Sequence, residues 1–296
     1  MSVATSLSEA HSRRAGAEVV ALRRTVVVGE AGLTVRVVDG VTRVADLWHR
    51  DPLSLRLPQP GRGDILEASL ITTSGGIVGG DSLKIAVSAG EAAQLRVYPQ
   101  AAEKVYRALG PESRVEVSLS VAAGAWLEWL PQETILFEGA RFRRNTRLDL
   151  AEGAHVLAGE FLVFGRRASG ERLSRGLIHE GWRLSRGGKL VWADAFHAEG
   201  DLSAPLASAA GLGGAGAFAS VIYAAPDAPA QLAALRALLP PETAELRCAL
   251  TAVNGLVVGR FLGEARALRR GYGDFWAASR AALAGLPPAL PRLWHL

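Results

Sequence analysis

Four times along the middle of this chain, an alternating run of apolar and polar residues leads to a glycine and then to a second β-type run. Leu83–Val87 leads to Gly90 and Leu95–Tyr98, and Val115–Val121 to Gly124 and Trp126–Leu130. Leu148–Leu150 leads to Gly153 and Val156–Phe164, and Trp182–Leu184 to Gly187-Gly188 and Leu190–Ala193. The glycines fall 34, 29 and 34 residues apart. A Pro-Gln pair recurs with them, at Pro99-Gln100 and Pro131-Gln132, each followed by an acid, Glu103 and Glu133. Units this short cannot bury an apolar face alone, so a repeat of this size implies stacked β units around a continuous core. The fold class expected is mainly β: stacked strand repeats forming a β-helix-like scaffold, with a few helices in the C-terminal third.

The flanking segments fill in the rest. Residues 1–25 are polar and read as disordered, and 26–296 as a single domain, β-rich to about 225 and mixed in helix and strand over 226–296. Asp39-Gly40 between Leu33–Val38 and Val41–Val44 signals a hairpin, as does Asn254-Gly255 between Leu246–Val253 and Leu256–Phe261. Trp48 to Pro60, punctuated by Pro52, Pro58 and Pro60, reads as loop. Gln231–Leu239 carries leucines at helical spacing and stops at Pro240-Pro241. Glu264–Leu283 reads as a helix interrupted near Gly271 and Gly273, and the apolar end Leu293-Trp294 is expected to dock.

Composition and motifs exclude several functions. Net charge is +4, but the arginines are scattered, and clusters such as Arg141-Phe142-Arg143-Arg144 read as solvated faces rather than a nucleic-acid footprint. The lone cysteine, Cys248, fits a reducing cytoplasm, and the start of the chain has no apolar core for a signal peptide. Leu202–Pro226 is uncharged, yet its glycines, prolines and small side chains favour a loop leading into a strand over a membrane span. Ser74-Gly75-Gly76-Ile77-Val78-Gly79-Gly80-Asp81 lies between two strands and is no nucleotide P-loop, because Asp81 stands where that loop needs its lysine. It reads as a glycine corner. Gly211–Gly216 has dinucleotide-motif spacing but is followed by a strand instead of a helix.

Chemistry is harder to find. The six histidines are dispersed and no Cys-x-x-Cys occurs, so no local high-affinity metal site is expected. No nucleophile elbow marks a catalytic triad, and no catalytic residue is assigned. Glu128, Glu133 and Glu138 leave open a carbohydrate-active β-helix enzyme using paired carboxylates. Glu160 interrupts the apolar run Val156–Phe164, where a carboxylate must be paired, protonated or in contact with internal water unless the strand lies at an edge.

Taken together, the glycine corner, Gln100-Ala101-Ala102-Glu103-Lys104-Val105-Tyr106-Arg107, Leu127-Glu128-Trp129-Leu130-Pro131-Gln132-Glu133, Phe164-Gly165-Arg166, Gly170-Glu171 and Pro291-Arg292-Leu293-Trp294 resemble the UreD (UreH) family of urease accessory proteins. Arg167-Ala168-Ser169 departs from the family pattern. The resemblance implies a cytoplasmic, non-enzymatic scaffold that binds urease apoprotein and a helical UreF-type partner, which holds a UreG-type GTPase. It also implies nickel in transit through an internal tunnel, with GTP bound by the partner and no tightly held cofactor. By that analogy Asp81 and Glu160 are the expected metal-path residues.

Overall fold

The computed structural model of the chain describes residues 26–295, so the expectation for 1–25 falls outside the described residues. The first elements are β1 (Val28–Val38) and β2 (Val41–Arg50), antiparallel about Asp39-Gly40 as expected. β3 (Leu53–Arg56) and β4 (Leu66–Thr72) follow, and then the coils begin. β5 (Ser82–Ala89) lies in a first sheet, β6 (Gln94–Pro99) in a second, and short β7 (Glu103–Val105) forms a third side. β8 (Ser113–Val121), β9 (Trp126–Trp129) and β10 (Thr134–Leu136) repeat that course, as do β11 (Arg141–Leu150) and β12 (His155–Phe164). Each strand pairs in parallel with its counterpart one coil on. On the third side Ile77, Val105, Leu136 and Phe164 stack as one buried column. The stacked-strand scaffold expected from the repeat is the fold.

The repeat's register differs from the glycine spacing. Pairing aligns Ala89 with Val121 and Val121 with Leu150, so Ala92, Gly124 and Gly153 occupy equivalent corners, with φ of 54°, 67° and 78°. Gly90 sits two residues earlier. The fourth unit is no corner at all: Gly187 and Gly188, both at positive φ, reverse the chain. β13 (Arg175–Arg186) and β14 (Lys189–Asp201) therefore form an antiparallel hairpin in the first sheet. Two successive residues at positive φ make a hairpin turn, whereas one makes only a bend.

The chain continues through α1 (Ser203–Ala207), β15 (Ala217–Ala224), α2 (Leu232–Ala237), β16 (Leu246–Val253), β17 (Leu256–Gly263) and α3 (Ala265–Ala284). The first sheet runs β2-β1-β5-β8-β11-β13-β14 and the second β3-β4-β6-β9-β12-β15-β17-β16. In β8 only alternate residues are buried, because the outer face of the first sheet is open to solvent. β15 is buried throughout, because α3 covers the outer face of the second sheet. The uncharged stretch 202–226 thus supplies α1, a turn and β15, and among the described residues no helix is long and apolar enough to cross a membrane.

Two further expectations are corrected. Trp48–Pro60 is not all loop, since β2 runs to Arg50 and β3 follows Pro52. β2 is an edge strand exposed on both faces, so it carries no apolar alternation, and Pro52 falls in the turn between strands, where its missing N–H is tolerated. The helix over 264–283 is unbroken: α3 passes through Gly271 and Gly273, where any Cβ would meet Leu246 at 2.6 Å and Trp294 at 2.8 Å. Those glycines admit neighbours; they do not break the helix. Trp294 is buried against Tyr272 and Leu293 packs beside it, so the C-terminal segment docks as expected.

Candidate functional site

Strand parity decides what faces the interior. Along β12, Val156, Ala158, Leu162 and Phe164 point into the core between the sheets, so Glu160 does too, while Leu157, Phe161 and Val163 face α3. β12 is a central strand and Glu160 is 3% exposed, which removes the edge-strand reading. Its Oε1 accepts from Ser220 Oγ at 2.6 Å, and its Oε2 accepts from Trp182 Nε1. On β11, Phe142, Thr146, Leu148 and Leu150 point inward, and Arg144 shares their parity. Arg144 Nε donates to Glu180 Oε1 on β13 at 2.7 Å, and Nη1 to Thr134 Oγ1 at 3.1 Å.

This arrangement puts two acids and one arginine inside an apolar solenoid. Burial drives the Glu180 carboxyl up to about 8; Arg144 opposes the rise and the Glu160 charge adds to it. Arg144 stays cationic, because the surrounding acids outweigh its loss of hydration. Among the described residues Arg144 Nη2 has no partner, and Glu180 Oε2 has none apart from the Glu160 carboxyl beside it. Buried polar atoms without partners are uncommon and mark a place for water or an ion.

A cavity of about 250 Å³ adjoins this cluster. Arg144, Thr134 and Gly159 line its inner end, the strands of the first sheet supply apolar wall through Ile85, Val117 and Phe142, and Gly75-Gly76 of the glycine corner lines it as well. Both Pro-Gln pairs lie on it, with Glu103 and Glu133, because β7 and β10 stack Glu103 beside Thr134. Burial raises the Glu103 carboxyl, against hydrogen bonds from Thr72 and the Lys104 amide and the field of Arg144.

The two expected path residues are not brought together. Asp81 is buried at the corner and does not line the cavity; Oδ2 accepts from Val78 N at 2.9 Å and Oδ1 from Val27 N at 3.3 Å. It ties down the loop whose glycines form cavity wall. Sequence reasoning missed Arg144 and Glu180. Arg144 was grouped with a solvated cluster, yet its parity with Phe142, Thr146 and Leu148 is visible in the sequence; only Arg141 and Arg143 of that cluster face outward. The three acids considered for a glycosidase are each engaged separately. Glu128 is held by Arg280, Trp126 and Trp276, Glu133 by Arg269, and Glu138 by Ser174. Among the described residues no group of three or more His, Cys, Asp or Glu side chains is placed to hold a metal.

A model of the family described as UreD urease accessory protein matches residues 27–295. The chain belongs to that family. It is 46% identical over 261 residues to a urease accessory protein UreD of Magnetococcus marinus, covering 87% of this chain and 90% of that protein. A UreD of Xanthobacter autotrophicus is 42% identical over 267 residues, covering 90% and 89%. One of Azorhizobium caulinodans is 39% identical over 275 residues, covering 93% and 98%. Three of the segments that carried the resemblance converge: the corner, Gln100–Lys104 and Pro131–Glu133 border the cavity. In the departing loop, Arg167 pairs with Glu264 at 3.1 Å and donates to Gly214 O at 2.9 Å.

Proposed function

We propose that this chain is a urease maturation protein that acts in the cytoplasm as a non-enzymatic scaffold. It binds urease apoprotein together with a UreF-type and a UreG-type accessory protein, and the UreG-type partner supplies GTP hydrolysis for nickel insertion. Nickel crosses the chain as cargo, entering the cavity past Glu103 and Glu133 and passing the Glu180–Glu160 pair. Asp81 holds the corner that shapes the entry, and Glu160 offers oxygen to the ion. The names of the relatives support the accessory role.

The observation that carries the path is the close pair of buried acids, Glu180 and Glu160, beside Arg144, which lines the cavity and whose Nη2 has no partner among the described residues. A hard-oxygen, histidine-free passage holds nickel weakly, as a conduit must. Glu128, Glu133 and Glu138 are each tied to different partners, which argues against the glycan-cleaving alternative with its paired carboxylates. Glu160→Gln in cells co-expressing urease and its accessory proteins tests the reading. Co-purification and melting temperature should stay near wild type while urease nickel content falls. Normal nickel loading, or a stability loss that accounts for the defect, removes Glu160 from the path; GTP bound by the isolated chain overturns the assignment of GTP to the partner.

A further inference from the structure

Two of the dispersed histidines meet on the open face of the first sheet. The β13–β14 register sets His179 opposite His197, and their Nδ1 atoms are 3.3 Å apart. We propose that His179 and His197 form a surface site for one divalent transition-metal ion of the nickel, zinc or copper class. The site is separate from the interior path and does not depend on it.

The groups behind His179 fix which ring nitrogen is free. Asn145 Nδ2 donates to Glu116 Oε1 at 2.9 Å, and a carboxylate can only accept, so the amide NH2 must face Glu116. Asn145 Oδ1 therefore faces His179 Nε2, 3.2 Å away, and that nitrogen must carry the proton. His179 Nδ1 is left with its lone pair aimed at His197. An outer carbonyl or carboxylate that holds the far N–H in this way is the usual companion of a metal-bound imidazole. Gly181 makes room for the arrangement, since a Cβ there would stand 2.9 Å from His179 Nε2 and 3.0 Å from Asn145 Oδ1.

The spacing also suits one ion. Two nitrogens bound at about 2.0–2.1 Å lie roughly 3.4 Å apart at a tetrahedral centre and about 3.0 Å apart at an octahedral one. Without metal, His197 Nδ1–H donates to His179 Nδ1; with metal, the proton of His197 moves to Nε2 on its solvent side and the ion takes its place. Arg143 beside the pair is bonded to Glu112 at 2.8 Å, and Glu116 adds negative charge behind Asn145. His197 stands at an exposed position of the edge strand, so solvent reaches the pair and supplies the waters that complete the coordination. Two protein ligands make an exchangeable site, suited to acquiring an ion more than storing it.

The test is calorimetric titration of the full-length, tag-free chain with NiCl2 or ZnSO4 at pH 7.5, paired with X-ray absorption on the loaded protein. One ion per chain is expected, with two imidazole nitrogens in its shell. His197→Ala and His179→Gln should each weaken uptake by ~10-fold or more, and Asn145→Leu by about 10-fold, as loss of an outer-shell partner does. Cys248→Ala, at a buried thiol remote from the pair, should leave the titration unchanged. Absence of stoichiometric uptake by the wild type would mean a hydrogen-bonded histidine pair only and would overturn the proposal. So would uptake that persists in both histidine variants. If His179→Gln loses its fold by circular dichroism, His197→Ala, at an exposed position of the edge strand, decides alone.

Discussion

Two buried charge clusters flank the second sheet, and they are built on opposite plans. Under α3, Arg280 and Arg96 clamp Asp64, Glu67 and Glu128. Arg280 Nε donates to Glu128 Oε1 at 2.9 Å and Nη2 to Asp64 Oδ1 at 2.6 Å, while Arg96 reaches Asp64 Oδ2 at 3.0 Å and Glu67. Every carboxylate oxygen there is engaged, with Trp126, Trp276 and Tyr98 completing the set. Burial works to raise the Asp64 carboxyl, yet Arg280 and Arg96 together hold it below its ordinary value. Between the sheets a single arginine serves two acids that lean on each other, and Glu180 sits near 8. A cluster whose carboxylate oxygens are all engaged fixes a helix, even though Arg96 Nε within it has no partner among the described residues. One that shares a single arginine between two acids, beside a cavity, is open to water and cations.

The comparison predicts a wide range of consequences. Arg280→Ala should have the largest, because it strands Glu128 and Asp64 beneath the helix. Removing one partner of a buried ion pair costs about 3–5 kcal/mol, and urea unfolding should show a loss of that size. A loss under about 1 kcal/mol would mean that the clamp adds little to the docking of α3.

Next comes pH, where the two clusters should part company. Glu180 has a folded value near 8 against 4.5 unfolded, so the folded state holds its proton more tightly over that interval. Ionising the buried group opposes folding, and stability should fall as pH rises from about 5 to 8, by at most ~1.4 kcal/mol per pH unit for one group. Glu180→Gln removes that proton, so its stability relative to wild type should climb across the same window. A constant difference between pH 5 and 8 would show that Glu180 is already ionised. Asp64, held low, contributes the opposite slope only at acid pH, where protonation undoes the clamp.

How far these clusters could be read from the sequence follows from their geometry. The coils, both hairpins at Asp39-Gly40 and Asn254-Gly255, and the docked Trp294 were readable because each depends on local periodicity or turn chemistry. Glu160 stood out because an acid breaks an apolar run. Its partners did not, since Trp182 and Ser220 reach it from strands 22 and 60 residues away and only the sheet register brings them there. The true corner position was hidden by Ala92, which takes the left-handed conformation where later coils have glycine. In sequence Gly187-Gly188 has the look of a fourth unit's glycine step, and its two successive positive-φ residues instead make a hairpin turn. A hairpin turn there pairs β13 with β14, but only the register shift between Leu184 and Ser185 sets His179 opposite His197, and that bulge has no signal in the sequence.

The smallest expected effect tests whether the inter-sheet cluster is wet. One hydroxyl donor can be deleted from each cluster: Tyr98→Phe removes the 2.9 Å bond to Glu67 Oε2, and Ser220→Ala removes the 2.6 Å bond to Glu160 Oε1. Both acceptors are buried, so a dry environment would make each deletion cost about 1–3 kcal/mol for the unsatisfied oxygen. The clamp is closed by tryptophans and α3, and Tyr98→Phe should fall in that range. The Glu160 pair lies behind a cavity through Arg144, and water that reaches it can replace the serine hydroxyl, which leaves a cost of about 0.5 kcal/mol or less. Chemical denaturation of the two single variants measures both numbers under one condition. Equal losses would make the two clusters alike, both dry and both structural, and would take away the physical basis for an ion path past Glu160. A small loss at Ser220 beside a large one at Tyr98 would leave the acids between the sheets as the only ones of the two sets that water reaches.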